Sequence, residues 1–232
     1  MYLNPSNIIE DFLRKNVTDP RGRITSTSDS FTATASQTIF ALTPSTNNSL
    51  SHVISVTVDG TAKTKWQDYY IDSKLEKIIF FTGMTGAEAV VITYGETTSN
   101  WIFTDKPRKK LTSLQFPRIN ILVVGNVGSR LGNYEAPVEG IPRFQVDVWT
   151  KESQDNQIFT INSKKFTGED LANYLSYEIT KAFENNESEL FPALYGYDPV
   201  GMPPDLPFDD ELQCYHKTVE FIMRGISIGR IS

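Results

Sequence analysis

Cysteine is almost absent from this chain. Cys214 is the only one in 232 residues, so no intrachain disulfide framework can form. That fits a reducing compartment, or assembly within one. Histidine is nearly as scarce, with His52 and His216 alone. Each lacks a second His, Cys or carboxylate at ligand spacing, which excludes a local metal motif, and each reads as a sheet histidine. Long apolar runs are missing too. No window approaches the roughly 18 uninterrupted apolar residues of a membrane-spanning helix. The stretch Met1 to Pro5 has neither a basic nor an apolar leader segment, so no signal peptide is expected. Positive charge is in deficit, at a net −6. A general nucleic-acid binder needs a basic face, so that class is disfavoured. A protein that sits near DNA without holding it is not excluded.

What remains is ordinary for a globular protein. The hydrophobic fraction is 39 % and the charged fraction 22 %, and 14 Phe with 10 Tyr suit β-sheet. A chain this long buries a core without staples. The sequence divides into three stretches.

Asn4-Pro5 reads as a helix start, with Asn as cap and Pro at the first helical position. Ile8, Ile9, Phe12 and Leu13 then recur at helical spacing, and Asp19-Pro20-Arg21-Gly22 supplies turn chemistry. A helix of about three turns is not stable alone in water, so it must dock further along the chain.

From Ile24 to Asn100 the character changes. Thr and Ser dominate, and short runs alternate apolar with polar: 30–34, 38–42, 53–58, 68–71, 77–81 and 89–94. Asp59-Gly60 is a hairpin signal, and Gly83 with Gly86 mark a turn. Six or seven short strands without a helix predict a small β-sandwich or barrel-like module. A surface-facing binding domain and a ligand-free stabilising insertion both stay open.

From Trp101 onward the pattern is mixed. The basic run Asp105 to Lys110 reads as a solvated linker. Pro117 to Gly125 predicts a strand, apolar on both faces in its second half and so central in a covered sheet. Phe144 to Trp149 alternates and predicts a half-buried strand. Thr167 opens a helix as its cap, with Glu169 and Asp170 at the positive end of the dipole. Leu171, Leu175, Ile179, Ala182 and Phe183 form its apolar stripe, and Asn185-Asn186 break it. Tyr195 to Asp210, with four prolines, reads as a long loop. Cys214 to Ile228 predicts a closing strand with Tyr215, Val219, Phe221 and Met223 as core positions. The predicted buried set is Ile121, Val123, Val146, Val148, Leu175 and Ile179.

No catalytic constellation emerges. Cys214 sits where a strand begins, and a thiolate nucleophile is not expected there. Gly125 to Gly132 follows a strand, yet its spacing matches neither phosphate-loop pattern, so it reads as a connection between strands. Asp147, Asp209, Asp210, Glu211 and Glu220 could pair, but nothing in their spacing selects two of them. No catalytic residue, cofactor site or metal site is therefore assigned.

The third stretch resembles the tail terminator (tail completion, or neck) proteins of tailed bacterial and archaeal viruses. The resemblance rests on an order of features. An N-terminal amphipathic helix comes first, then Pro117-Arg118-Ile119 opening a strand, a Gly-containing connection, and Phe144-Gln145-Val146-Asp147-Val148-Trp149. The helix from Asp170 to Phe183, a variable loop and a closing strand that includes Lys217 to Met223 follow. It covers Asn4 to about Val17 and Pro117 to about Gly229. The all-β stretch departs from that family's compact form. Its Gln37 to Phe40 and Asp68 to Ile71 runs are similar to small β modules of viral tail and fibre proteins.

The resulting expectation is an α+β fold. A mixed or antiparallel sheet packs with helices in a core of residues 1–23 and 101–232, and an all-β module of residues 24–100 is inserted. The resemblance implies a non-enzymatic virion protein, assembled in the host cytoplasm. It would form a homo-oligomeric ring, commonly hexameric, that ends the tail tube and joins the head connector. Its partners would be the tail tube protein and the connector or adaptor proteins, with genomic DNA passing through the lumen unbound and no membrane involved. A ring needs two different patches on each subunit. The long loop supplies the candidate interface residues: Tyr195, Tyr197, Asp198, Pro199, Pro203, Pro204, Asp205 and Phe208. The β module is expected on the ring's periphery. Another connector or tail-tube-like part, and a small protein whose β module binds a glycan or peptide, are the alternatives.

Overall fold

The computed structural model describes residues 5–72, 75–104, 115–129, 139–151, 158–161, 163–190, 196–201, 206–209 and 214–224. It divides into two compact units. One comprises Met1–Pro20 with Trp101–Ser232, and the other is Arg21–Asn100. The fold class is α+β, with two helices and mixed and antiparallel sheets.

The unit Arg21–Asn100 holds seven strands and no helix among its described residues: β1 (Ile24–Thr32), β2 (Ile39–Ala41), β3 (Ser49–Val58), β4 (Thr61–Ala62), β5 (Tyr69–Asp72), β6 (Lys77–Phe80) and β7 (Ala89–Thr97). They form a four-stranded sheet, β1-β7-β3-β4, and a three-stranded sheet, β2-β6-β5. Alternation explains the packing. Val90, Ile92 and Tyr94 of β7 point to one side and meet Val53, Val56, Phe40, Ile78 and Phe80 in a single buried cluster. Phe40 is the hub, edge-on to Phe31 at 5.4 Å and to Phe80 at 5.6 Å. The β3–β4 hairpin turns at Asp59 and Gly60, with φ of 50° and 75°. Two positive φ angles in succession define the turn whose twist matches its strands, which is why Asp-Gly sits there. Ile24 pairs with Thr97, so the unit begins and ends on adjacent strands.

The other unit begins with α1 (Pro5–Asn16). Its strands are β8 (Ile102–Phe103), β9 (Arg118–Ser129), β10 (Glu139–Thr150), β11 (Phe159–Ile161), β12 (Lys164–Phe166), β13 (Gly196–Gly201), β14 (Leu206–Asp209) and β15 (Cys214–Arg224). Its second helix is α2 (Gly168–Asn186), continued by a short 3-10 turn, Glu187–Leu190. The main sheet runs β13-β15-β10-β9-β8, with β14 also on β15. Only β8 is parallel to its neighbour.

Both helices pack on this unit's apolar residues. Ile8, Ile9, Phe12, Leu13 and Val17 of the first helical stretch are all buried. An aromatic ladder ties the layers together. Phe12 stacks on Phe183 at 4.9 Å, Phe183 meets Phe221 at 4.5 Å, and Phe221 meets Phe144 at 5.7 Å. Each such ring buried contributes about 1.5–3 kcal/mol, which is what α1 lacks in isolation. Arg14 donates to the Ile102 carbonyl at 3.1 Å, and Lys15 pairs with Glu189 at 3.0 Å.

Several expectations are corrected. Residues 195–210 are not a loop throughout: β13 and β14 both pair antiparallel with β15. Proline is tolerated because these strands flank the sheet's outer side, where a missing N–H costs no ladder bond. Val123 is not buried but 49 % exposed, and Val124 is 45 % exposed. They adjoin the irregularity where β9 slips against β10 between Arg143 and Phe144. Alternation assigns a face but not how far along a strand the cover reaches. The run Phe144 to Trp149 is covered on both sides rather than one, since Asp147 and Trp149 are buried with Val146 and Val148. Thr167 holds the N-cap position of α2 with extended backbone, but its side chain makes no capping bond. Gly125 to Ser129 continue β9 in register with β10, an extended backbone that cannot cradle a phosphate. The basic run 105–110, the connection 130–138 and residues 225–232 lie outside the described residues.

Candidate functional site

Register assembles a polar ladder that spacing conceals. Trp149 of β10 lies opposite Arg118 of β9 and His216 of β15, and Asp147 lies opposite Asn120 and Thr218. Side chains directly opposite share a face, so these six line one side of the sheet. Arg118, Asn120, Asp147, Trp149 and Thr218 are all buried. A buried carboxylate must be bonded or neutralised. Asp147 Oδ1 accepts from Gln145 Nε2 at 2.7 Å and from Thr218 Oγ1 at 2.8 Å, and His216 Nε2 lies 3.0 Å from it. The His216 ring lies flat on Trp149, 3.8 Å between centroids and 5° between planes. Arg118 Nε donates to Asn120 Oδ1 at 3.1 Å, and its guanidinium lies 3.7 Å over the Phe103 ring. At the ladder's outer end Arg143 pairs with Glu220.

A histidine beside an aspartate is a catalytic arrangement only with a nucleophile or substrate in reach. Here both Thr218 and Gln145 already donate to Asp147 Oδ1. The ladder is suited to holding β9, β10 and β15 in one register. Cys214 is buried beside Phe116 and Trp149 on the same face. Among the described residues, no three of His, Cys, Asp or Glu gather as a metal site. His52 is buried in β3, with Nδ1 at 3.3 Å from Ser51 Oγ.

The ladder escaped sequence reading because Asp147 and His216 are 69 positions apart. A signal was present, however. In both strands one parity is apolar (Phe144, Val146, Val148; Val219, Phe221) and the other polar (Gln145, Asp147; His216, Thr218, Glu220). Two polar parities that come out buried have to face one another.

Of the eight candidate interface residues, the structure brings three onto β13. Tyr197 lies opposite Met223, Asp198 opposite Ile222 and Pro199 opposite Phe221. Phe208 is on β14, whose pairs are Leu206 with His216 and Asp209 with Cys214. Tyr195, Pro203, Pro204 and Asp205 lie outside the described residues. Among the described strands β13 pairs with β15 alone, so no described strand lies on its other side. β8 covers β9 only at Ile119 and Asn120, which leaves the outer side of β9 from Ile121 onward without a described strand.

Comparison with family models, with curated proteins and with solved structures returns no match.

Proposed function

We propose that this chain is a structural, non-enzymatic subunit of a closed ring at the neck or tail end of a tailed-virus particle. There it ends the tail tube and meets the head connector. One observation carries the reading: among the described residues the main sheet has two edges without a further strand, and they are complementary in direction. β9, β10, β15 and β13 alternate up and down across it. A second copy in the same orientation therefore sets its β9 antiparallel to the first copy's β13. Antiparallel pairing is the more stable kind. Such a joint is heterologous, and it yields a ring when the rotation closes. Pro199 blunts indiscriminate pairing along β13 while Gly196 to Asp198 keep their amides. The exposed Val123 and Val124 would be covered near that joint. The order of helix, paired strands, helix and closing strand supports the tail-terminator resemblance, and a net −6 suits a lumen that DNA crosses without adhering.

A second reading concerns the β unit. Tyr70 and Phe81 stack at 5.7 Å on the outer face of its small sheet, beside the exposed Ile39. A partly exposed aromatic pair favours recognition of a glycan or peptide. Light scattering with negative-stain imaging tests the main reading. A mass that is a whole multiple of 26.2 kDa, with annular particles, is expected. A monomer at every concentration, with a melting temperature that responds to a glycan, would support the second reading instead.

A further inference from the structure

α2 has a buried face and a second face that no described element covers. Asp170, Asn173, Tyr177, Lys181 and Glu184 recur at helical spacing and are all exposed. Tyr177 is 58 % exposed, with Lys181 Nζ 5.9 Å from its ring centroid. Glu169, Asp170, Glu178, Glu184 and Glu187 belong to the helix and its 3-10 extension, and none forms an ion pair with a described residue. Against them stands the single ammonium of Lys181. Burial first, and the nearby Glu178 carboxylate second, push the Tyr174 hydroxyl upward.

The same chain carries the opposite surface. β11 and β12 form a two-stranded hairpin that pairs with no other described strand. Lys164 and Lys165 are exposed on it, neither has an ion-pair partner among the described residues, and residues 158–166 include no acid. Ile158 is 49 % exposed at its base. A hairpin of this size is marginal unless it packs on something. Phe166 against Tyr174, at 4.6 Å, fixes one end to the chain's own α2. Ile158, Lys164 and Lys165 remain exposed.

We propose that the outer face of α2, centred on Tyr177, receives the β11–β12 hairpin of a second copy of this chain. The inference rests on the ring reading above and names the surface through which neighbours choose one another. Each copy gives a hairpin and receives one, as a heterologous joint requires. Ile158 and Tyr177 supply apolar contact, while lysines facing carboxylates set orientation and rate of encounter. A strand-edge joint alone fixes direction but not register, and a charged pair of surfaces removes that freedom.

Charge reversal tests it on the full chain. Lys164→Glu with Lys165→Glu makes one variant, and Glu178→Lys with Glu184→Lys makes the other. Alone, each places like charges at the joint, and sedimentation velocity should show association weakened about tenfold or more. An equimolar mixture restores opposite charges at every joint, and assembled mass should return. Circular dichroism checks that both variants are folded. Should a reversed pair not fold, the Gln versions are compared for loss of salt dependence. A wild-type chain that never assembles overturns the ring reading and this inference together. Wild-type rings with variants that assemble equally well, or a mixture that fails to recover, overturn this inference alone.

Discussion

Carboxylates of the β unit serve its backbone, Asp29, Glu88 and Glu96 among them. Asp29 accepts from the Thr43 amide at 2.7 Å and from the Tyr94 hydroxyl at 3.2 Å. Glu96, buried, accepts from the Ser45 amide at 2.7 Å and hydroxyl at 2.8 Å, and these bonds lower its pKa. Glu88 accepts from the Thr85 hydroxyl and amide and from the Gly86 amide at 2.7 Å. Those donors, the Thr85 hydroxyl first, hold it at about 2 against an ordinary 4.5. A depressed native pKa contributes stability that is present above the unfolded value and is lost as pH falls through the native one. The β unit should therefore hold its melting temperature above about pH 5 and lose it progressively toward pH 2. Glu88→Gln should flatten the acid limb of a melting-temperature profile. An unchanged limb would mean that the 85–88 turn contributes nothing to stability.

At the scale of elements, α2 shows how periodicity and cover differ. Its stripe Leu171, Leu175, Ile179, Ala182 and Phe183 is buried throughout, because helical spacing alone defines that face. Leu175→Ala should cost about 2–5 kcal/mol in denaturant unfolding. Val123→Ala, on the strand that loses its cover, should stay within about 0.5 kcal/mol in the monomer. Equal costs at the two sites would contradict the exposure of Val123. Gly168 is constrained differently: its φ is +42°, and a Cβ there would lie 2.9 Å from Tyr215 Cε2. A helix starting so close to β15 leaves no room for a side chain, whatever the local propensity. The same strand explains why 195–210 is not all loop. Prolines argue against a central strand, and β13 with β14 lie outside β15.

For the whole molecule, the units differ in how their ends meet. The unit Arg21–Asn100 begins and ends on paired strands, with Ile24 opposite Thr97. Directly opposite strand residues lie about 4.5–5.5 Å apart, so a short Gly/Ser linker can replace the span between them. Excision of residues 21–100 should leave a soluble chain that unfolds cooperatively, because the aromatic ladder of Phe12, Phe183, Phe221 and Phe144 lies wholly outside the removed span. Loss of cooperative unfolding in calorimetry would show that the remaining core depends on the β unit. If the trimmed chain still assembles, the joint belongs to the retained unit, as the ring reading requires.

Local chemistry by itself determined the α+β class, the two amphipathic helices, the six or seven strands of the β stretch and the Asp59-Gly60 hairpin. Each follows from periodicity or turn preference within a few residues. Only the tertiary structure decided which strands share an edge. Register brought Asp147 to His216 and Arg118 to Trp149, ended the cover at Val123, and recruited β13 and β14 onto the flank of β15. Those outcomes depend on long-range pairing and on where a covering helix stops. Neither leaves a trace in neighbouring residues, because a strand's alternation is the same whatever lies across from it.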